Sequence, residues 1–174
     1  MFLKISQLVS LICTGLLAGL FTGRLLGAPA SKEYSGPVFT EVQQRVDASV
    51  GQTAPALIMG TILALAVTLV AVRDFRSPRF LLIAGALALV IAATVSTQIV
   101  NVPINEAING WSVDNPPADW ADERDRWETF HTLRTVFVVL ALGLAAAAAT
   151  LFGPRSDGAV RAGSTSKRAA RTPA

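Results

Sequence analysis

A chain of 174 residues that is 52% hydrophobic and only 16% charged falls well short of the roughly one quarter charged residues of a soluble domain. Its mean hydropathy is +0.50, and its apolar residues gather in four blocks, the pattern of an integral membrane protein. The formal charge of +3 lies mostly in the C-terminal tail and gives no support to nucleic-acid binding, while a single cysteine, Cys13, excludes an internal disulfide.

The first block runs from about residue 5 to 26 and carries Gly15, Gly19, Gly23 and Gly27 at steps of four. That spacing places all four on one helix face. Small-residue stripes of this kind let membrane helices approach closely. The face suits packing within the bundle, a groove for a flat ligand, or a homodimer contact. Lys4, the apolar run and "GAPA" also resemble a secretory signal with a small-residue cleavage site. Cleavage would leave three spans, but the run is long for a signal and Arg24 follows it.

Residues 36–50, "GPVFTEVQQRVDASV", place Phe39, Val42, Val46 and Val50 at helical spacing. Pro37 suits a first helical turn. A short amphipathic helix on the outer face is predicted there. The second and third blocks run from about 54 to 72 and 80 to 100, joined by "RDFRSPR". A Pro-Pro break at Pro116 and Pro117 precedes Asp119, a candidate N-cap, with Asp122 and Glu123 in the first turn that follows. A helix is expected to start there and run into the fourth block, about 133 to 152. Each block is close to the roughly 20 residues that an α-helix needs to span the hydrocarbon core. The expected fold is therefore all-α, a four-helix transmembrane bundle over residues 1–152, with a disordered basic tail over 153–174.

Charge orients the spans. Arg73, Arg76 and Arg79 in the short link, Lys4, and the tail's Arg155, Arg161, Lys167, Arg168 and Arg171 are expected on the cytoplasmic side. Residues 99–131 carry seven acidic side chains against Arg124 and Arg126 and are expected outside. The inner cell membrane, with both termini cytoplasmic, is the expected location.

Two polar stripes interrupt this apolar plan. Trp127, His131 (the only histidine) and Arg134 fall within an arc of about 60° on a regular helix. Thr94, Gln98, Asn101 and Asn105 do the same at the end of the third span, with Pro103 among them as a candidate kink. Polar groups at membrane depth are costly, so the stripes should face each other or a wet cavity. Arg24 can join them from the end of the first span. Interfacial anchoring and helix gluing are the plainer roles for such residues.

Glu128 and His131 form a Glu-x-x-His pair, as in di-iron bundles, but those need two such pairs. Glu106 is the one further carboxylate offered for a site with a single histidine. One histidine rules out bis-histidine haem, and no nucleotide fingerprint is present. No metal and no cofactor are expected.

"NVPINEAIN" with Asn101, Pro103 and Asn105, followed by Trp127, His131 and Arg134 entering the last span, resembles the anthrone oxygenase-like family of small four-helix membrane proteins. "GLLAGLFTG" in the first span and "FTEVQQRV" in the first outer loop extend the resemblance over about residues 10–152. It implies a compact membrane bundle. It also implies oxidation of anthrones to anthraquinones by molecular oxygen, without metal or flavin. On that reading His131 is the general base and Arg134 stabilises the enolate or superoxide. Trp127 stacks on the rings, and Asn101, Asn105, Gln98 and Arg24 belong to the substrate pocket. The partners are the bilayer and a lipophilic small molecule. The competing expectation is a non-catalytic membrane protein that binds a lipophilic ligand or supports a partner complex.

Overall fold

Eight helical segments make up the computed structural model, which describes residues 1–27, 29–51 and 53–152. Helix α1 spans Phe2–Gly27, a 3-10 turn covers Pro29–Glu33, and α2 spans Gly36–Val50. Helix α3 spans Thr53–Ala71 and α4 spans Pro78–Ser96. A π-turn over Thr97–Asn101 leads into α5, Val102–Asn109, and α6 spans Trp120–Thr150. No strand occurs among the described residues. The four predicted spans fall on α1, α3, α4 with its extension, and α6, each long and apolar enough to cross a membrane. The tail expected to be disordered lies outside the described residues.

The long helices close into a ring: α1 packs on α3 and α6, and α4 packs on α3 and α6. Leu17, Leu65, Val90 and Val138 fill the centre. Alanines set the close approach of α4 and α6: Ala86, Ala93, Ala141, Ala145 and Ala148 are all buried. Small residues suit a membrane bundle, where lipid tails remove the hydrophobic drive and packing must hold the helices.

The glycine stripe of α1 does not serve this packing. A Cβ placed on Gly15, Gly19 or Gly23 would meet no heavy atom within 4 Å. The face that packs instead carries Ser10, Thr14, Leu17, Ala18 and Phe21. Ser10 and Thr14 are polar yet fully buried, and each hydroxyl donates to a carbonyl one turn back, at 2.9 and 2.6 Å.

Pro103 changes the backbone register rather than simply kinking the third span. Proline has no N–H, and its ring excludes the carbonyl four residues back. The chain widens ahead of it, and the N–H of Val102 reaches the carbonyl of Thr97, five residues back. The extra residue in that turn rotates the segment. Thr97, Val100 and Asn101 turn inward, while Gln98 becomes exposed.

Two further starts and stops depend on local chemistry. Ser77 caps α4, its hydroxyl accepting the N–H of Phe80 at 3.2 Å ahead of Pro78. Asp119 stands at the start of α6 as expected, but its side chain makes no cap hydrogen bond. Its backbone is not extended, with φ −92 and ψ 10, so the carboxylate is not aimed at the first free N–H groups. Instead its carbonyl accepts from Asp122 and Glu123.

At this end of the bundle α2 lies across α5, with Pro37 in its first turn as expected. Phe39, Val100, Ile104, Ile108 and Trp127 form a second apolar cluster there. A Cβ on Gly36 would come within 2.7 Å of Pro116 and 3.0 Å of Trp120, so only glycine permits that approach. Gln44 donates to the carbonyls of Ile108 and Trp111, tying α2 to the end of α5.

Candidate functional site

Beneath α2 lies a cavity of about 250 Å³, near the lower end of the roughly 300–1,000 Å³ typical of small-molecule pockets. Helices α1, α3 and α6, the end of α4 and the π-turn form its walls, and α2 and α5 cover it. Leu20, Ile58 and Val102 give it apolar sides. Met59 and Gln98 line it while facing outward, so the cavity opens sideways between α3 and the π-turn.

His131 is buried on the inner face of α6, 4% exposed. Its Nδ1 accepts from Arg134, at 3.2 Å from Nε and 2.9 Å from Nη2. Arginine is a donor only, so Nδ1 carries no proton. Nε2 therefore holds the hydrogen and donates it to the carbonyl of Phe21, 3.1 Å away. Both ring nitrogens are engaged, and the one lone pair faces a guanidinium. A general base needs that lone pair directed at the substrate. In this geometry His131 positions Arg134, and proton abstraction by His131 requires Arg134 to move first.

Arg134 is fixed on its other side by Thr97, whose hydroxyl accepts from Nη1 at 3.2 Å. The guanidinium lies 4.8 Å from the Phe21 ring centroid and 5.3 Å from that of Trp127, within cation–π range. Each terminal nitrogen carries two hydrogens, so one N–H on each is left for a ligand.

Trp127 stacks on His131 with ring centroids 5.0 Å apart and planes 10° from parallel. Its Nε1 donates to Asn105 Oδ1 at 2.7 Å, while Asn105 Nδ2 donates to Asp47 Oδ1 at 2.8 Å. A donor-only indole and an acceptor-only carboxylate leave the amide one orientation. Gln43 extends the network: its Oε1 accepts from Arg24 Nη2 at 3.1 Å, and its Nε2 faces Asn105 Oδ1 at 3.4 Å. Arg24 lies over Trp127, 5.3 Å from the centroid. Asn109 donates to the second oxygen of Asp47 at 2.7 Å.

Of the residues named from sequence, Arg24, Thr94, Gln98, Asn105, Trp127, His131 and Arg134 line the cavity. Gln98 does so only from the exposed rim. Asn101 does not line it; it is 1% exposed, and its Nδ2 donates to the backbone carbonyl of Trp127 at 3.0 Å. Asn101 braces the π-turn against α6. Four contributors escaped the sequence reading. Gln43 and Asp47 lie four apart on the polar side of α2, a spacing that was available. Thr97 replaces Gln98 because of the π-turn, and the Phe21 carbonyl is backbone, invisible to residue patterns. Among the described residues no three of His, Cys, Asp and Glu come together to hold a metal ion. Glu128 accepts from Ser31 instead, and Glu106 is exposed.

No curated protein and no solved structure matches the chain. A family model does: that of anthrone oxygenase matches residues 47–144, from Asp47 into α6 and including every α5 and α6 residue of the cavity. The chain belongs to the anthrone oxygenase family.

Proposed function

We propose that the protein is a cofactor-independent oxygenase of a flat, lipophilic aromatic compound bearing an acidic C–H, of the anthrone type. The single observation that carries this reading is the donor array of Arg134. It is held rigid by His131 and Thr97 beside the Trp127 ring, inside an otherwise apolar cavity. Such an array is organised before the reaction and stabilises negative charge that develops on the substrate oxygen.

The chemistry needs no other oxidant or reductant. Loss of a proton from the CH2 group to water gives a delocalised carbanion. It passes one electron to molecular oxygen, forming a substrate radical and superoxide, which join at that carbon. The resulting peroxide anion takes a proton back from water and loses water, so the CH2 becomes C=O and the second oxygen atom leaves as water. Trp127 orients the rings, and Arg134 carries the negative charge of the enolate and then of superoxide. The sideways opening between Met59 and Gln98 supports delivery from lipid.

The positive link between α3 and α4 supports a topology with both termini cytoplasmic and the cavity in the outer half of the membrane. The outward glycine face of α1 is free for a second copy of the chain. Oxygen uptake by the detergent-purified protein with anthrone and with simple hydroquinones tests the function. Binding of anthrone without uptake would favour the non-catalytic ligand-binding reading.

A further inference from the structure

The charge of the cavity is incomplete. Arg24 and Arg134 both lie 5.3 Å from the centroid of the same Trp127 ring, yet among the described residues neither forms an ion pair. Arg134 is buried, and the Nε of Arg24 is buried with no acceptor among the described residues. The lining has one carboxylate, Asp47, and both of its oxygens are occupied by the amides of Asn105 and Asn109. Glu128 lies within electrostatic reach of Arg24 and accepts from Ser31, but it does not line the cavity. His131 is neutral, and α3 and the π-turn bring no charge to the lining. Within the lining, two guanidinium groups thus stand against one carboxylate, with Glu128 outside it and ion-paired with neither, in a bundle built for lipid, where a cation without an ion-pair partner is costly.

We infer that the cavity binds its substrate as an anion: a flat aromatic whose hydroxyl, conjugated with a carbonyl, is already ionised as phenolate or enolate. The hydroxyl proton goes to solvent on binding, and the negative oxygen completes the charge set by Arg24 and Arg134. This deepens the proposed function, and rests on it for the shape of the substrate. It also assigns the ionisation to the paired cations, since the one lone pair of His131 is taken up by Arg134. The anion is the more electron-rich form, and so the one primed to reduce oxygen.

The test uses 2-hydroxyanthraquinone, which cannot undergo the oxygenation and changes colour when its hydroxyl ionises. Its absorbance is titrated between pH 6 and 11 in detergent micelles with and without the purified full-length protein. The bound probe is expected to ionise at least one pH unit lower than the free probe, a tenfold preference for the anion. Unsubstituted anthraquinone is expected to bind at least tenfold more weakly at pH 9. Arg134→Gln and Arg24→Gln, each checked for a native circular dichroism spectrum, should each shrink the shift. Failure of the probe to bind, or ionisation of the bound probe at the same pH as the free one, would overturn the inference. Oxygen uptake with anthrone is measured on the same samples. Uptake without a shift removes only the anion inference, and a shift without uptake removes only the oxygenase reading.

Discussion

Arg134 directs both Nε and Nη2 at the Nδ1 of His131, at 3.2 and 2.9 Å, so the histidine's lone pair holds a cation in place. This arrangement separates a positioning histidine from a basic one. Asparagine retains an acceptor near the Nδ1 position, whereas alanine retains none. His131→Asn is expected to keep turnover within about tenfold of the parent, while His131→Ala loses about 100-fold, the scale of a small misplacement of a reacting group. The loss should fall on kcat more than on KM. Equal loss in both variants would restore the base assignment.

Trp127 offers its ring to the cavity and its Nε1 to Asn105. Aromatic pairing contributes about 0.5–1.5 kcal/mol beyond area burial, so Trp127→Leu should weaken binding of a flat ligand about two- to tenfold by that term. Trp127→Phe should keep most of the stacking. Ligand titration followed by absorbance distinguishes the two variants.

Asn101 braces helices and does not touch the cavity. Interhelical hydrogen bonds in membrane bundles average about 0.6 kcal/mol and reach about 1.7. Asn101→Ala is expected to destabilise the protein by that amount in reversible unfolding. Its effect on turnover should be far smaller than that of Arg134→Gln.

The third span shows where sequence legibility ends. The four blocks, the α2 segment and the meeting of Trp127, His131 and Arg134 with Asn105 were all readable, because hydrophobic runs and helical spacing determine them. Spacing assumes a regular helix, and the π-turn over Thr97–Asn101 breaks that assumption. Thr97 moves inward, Gln98 moves to the rim, and Asn101 turns to the carbonyl of Trp127. The partner of the His131 lone pair was equally hidden, since its direction does not follow from residue type.

Pro103 is the origin of that turn. Pro103→Ala returns an N–H to the backbone and allows a regular helix to reform. Thr97 and Asn105 would then rotate relative to Trp127 and Arg134. Turnover is expected to fall by about 100-fold with helix content unchanged, as measured by oxygen uptake and circular dichroism on the same sample.

The glycine face of α1 gives a separate expectation. With no neighbour within 4 Å of the added Cβ at Gly15, Gly19 or Gly23, alanine there should stabilise the helix by roughly 0.5–1 kcal/mol each in the monomer. Gly19→Leu should be tolerated by the monomer and should abolish any dimer formed through this face, as read by chemical cross-linking in micelles.

The most direct measurement of the central claim is oxygen consumption with anthrone by the purified protein beside a folded Arg134→Gln variant. Uptake is expected to be matched one to one by anthraquinone formed, with the variant slower by about 100- to 1,000-fold, the usual cost of removing one charge-stabilising donor. Parent-level uptake by the variant would contradict the role given to Arg134. No uptake by the parent would contradict the oxygenase account itself.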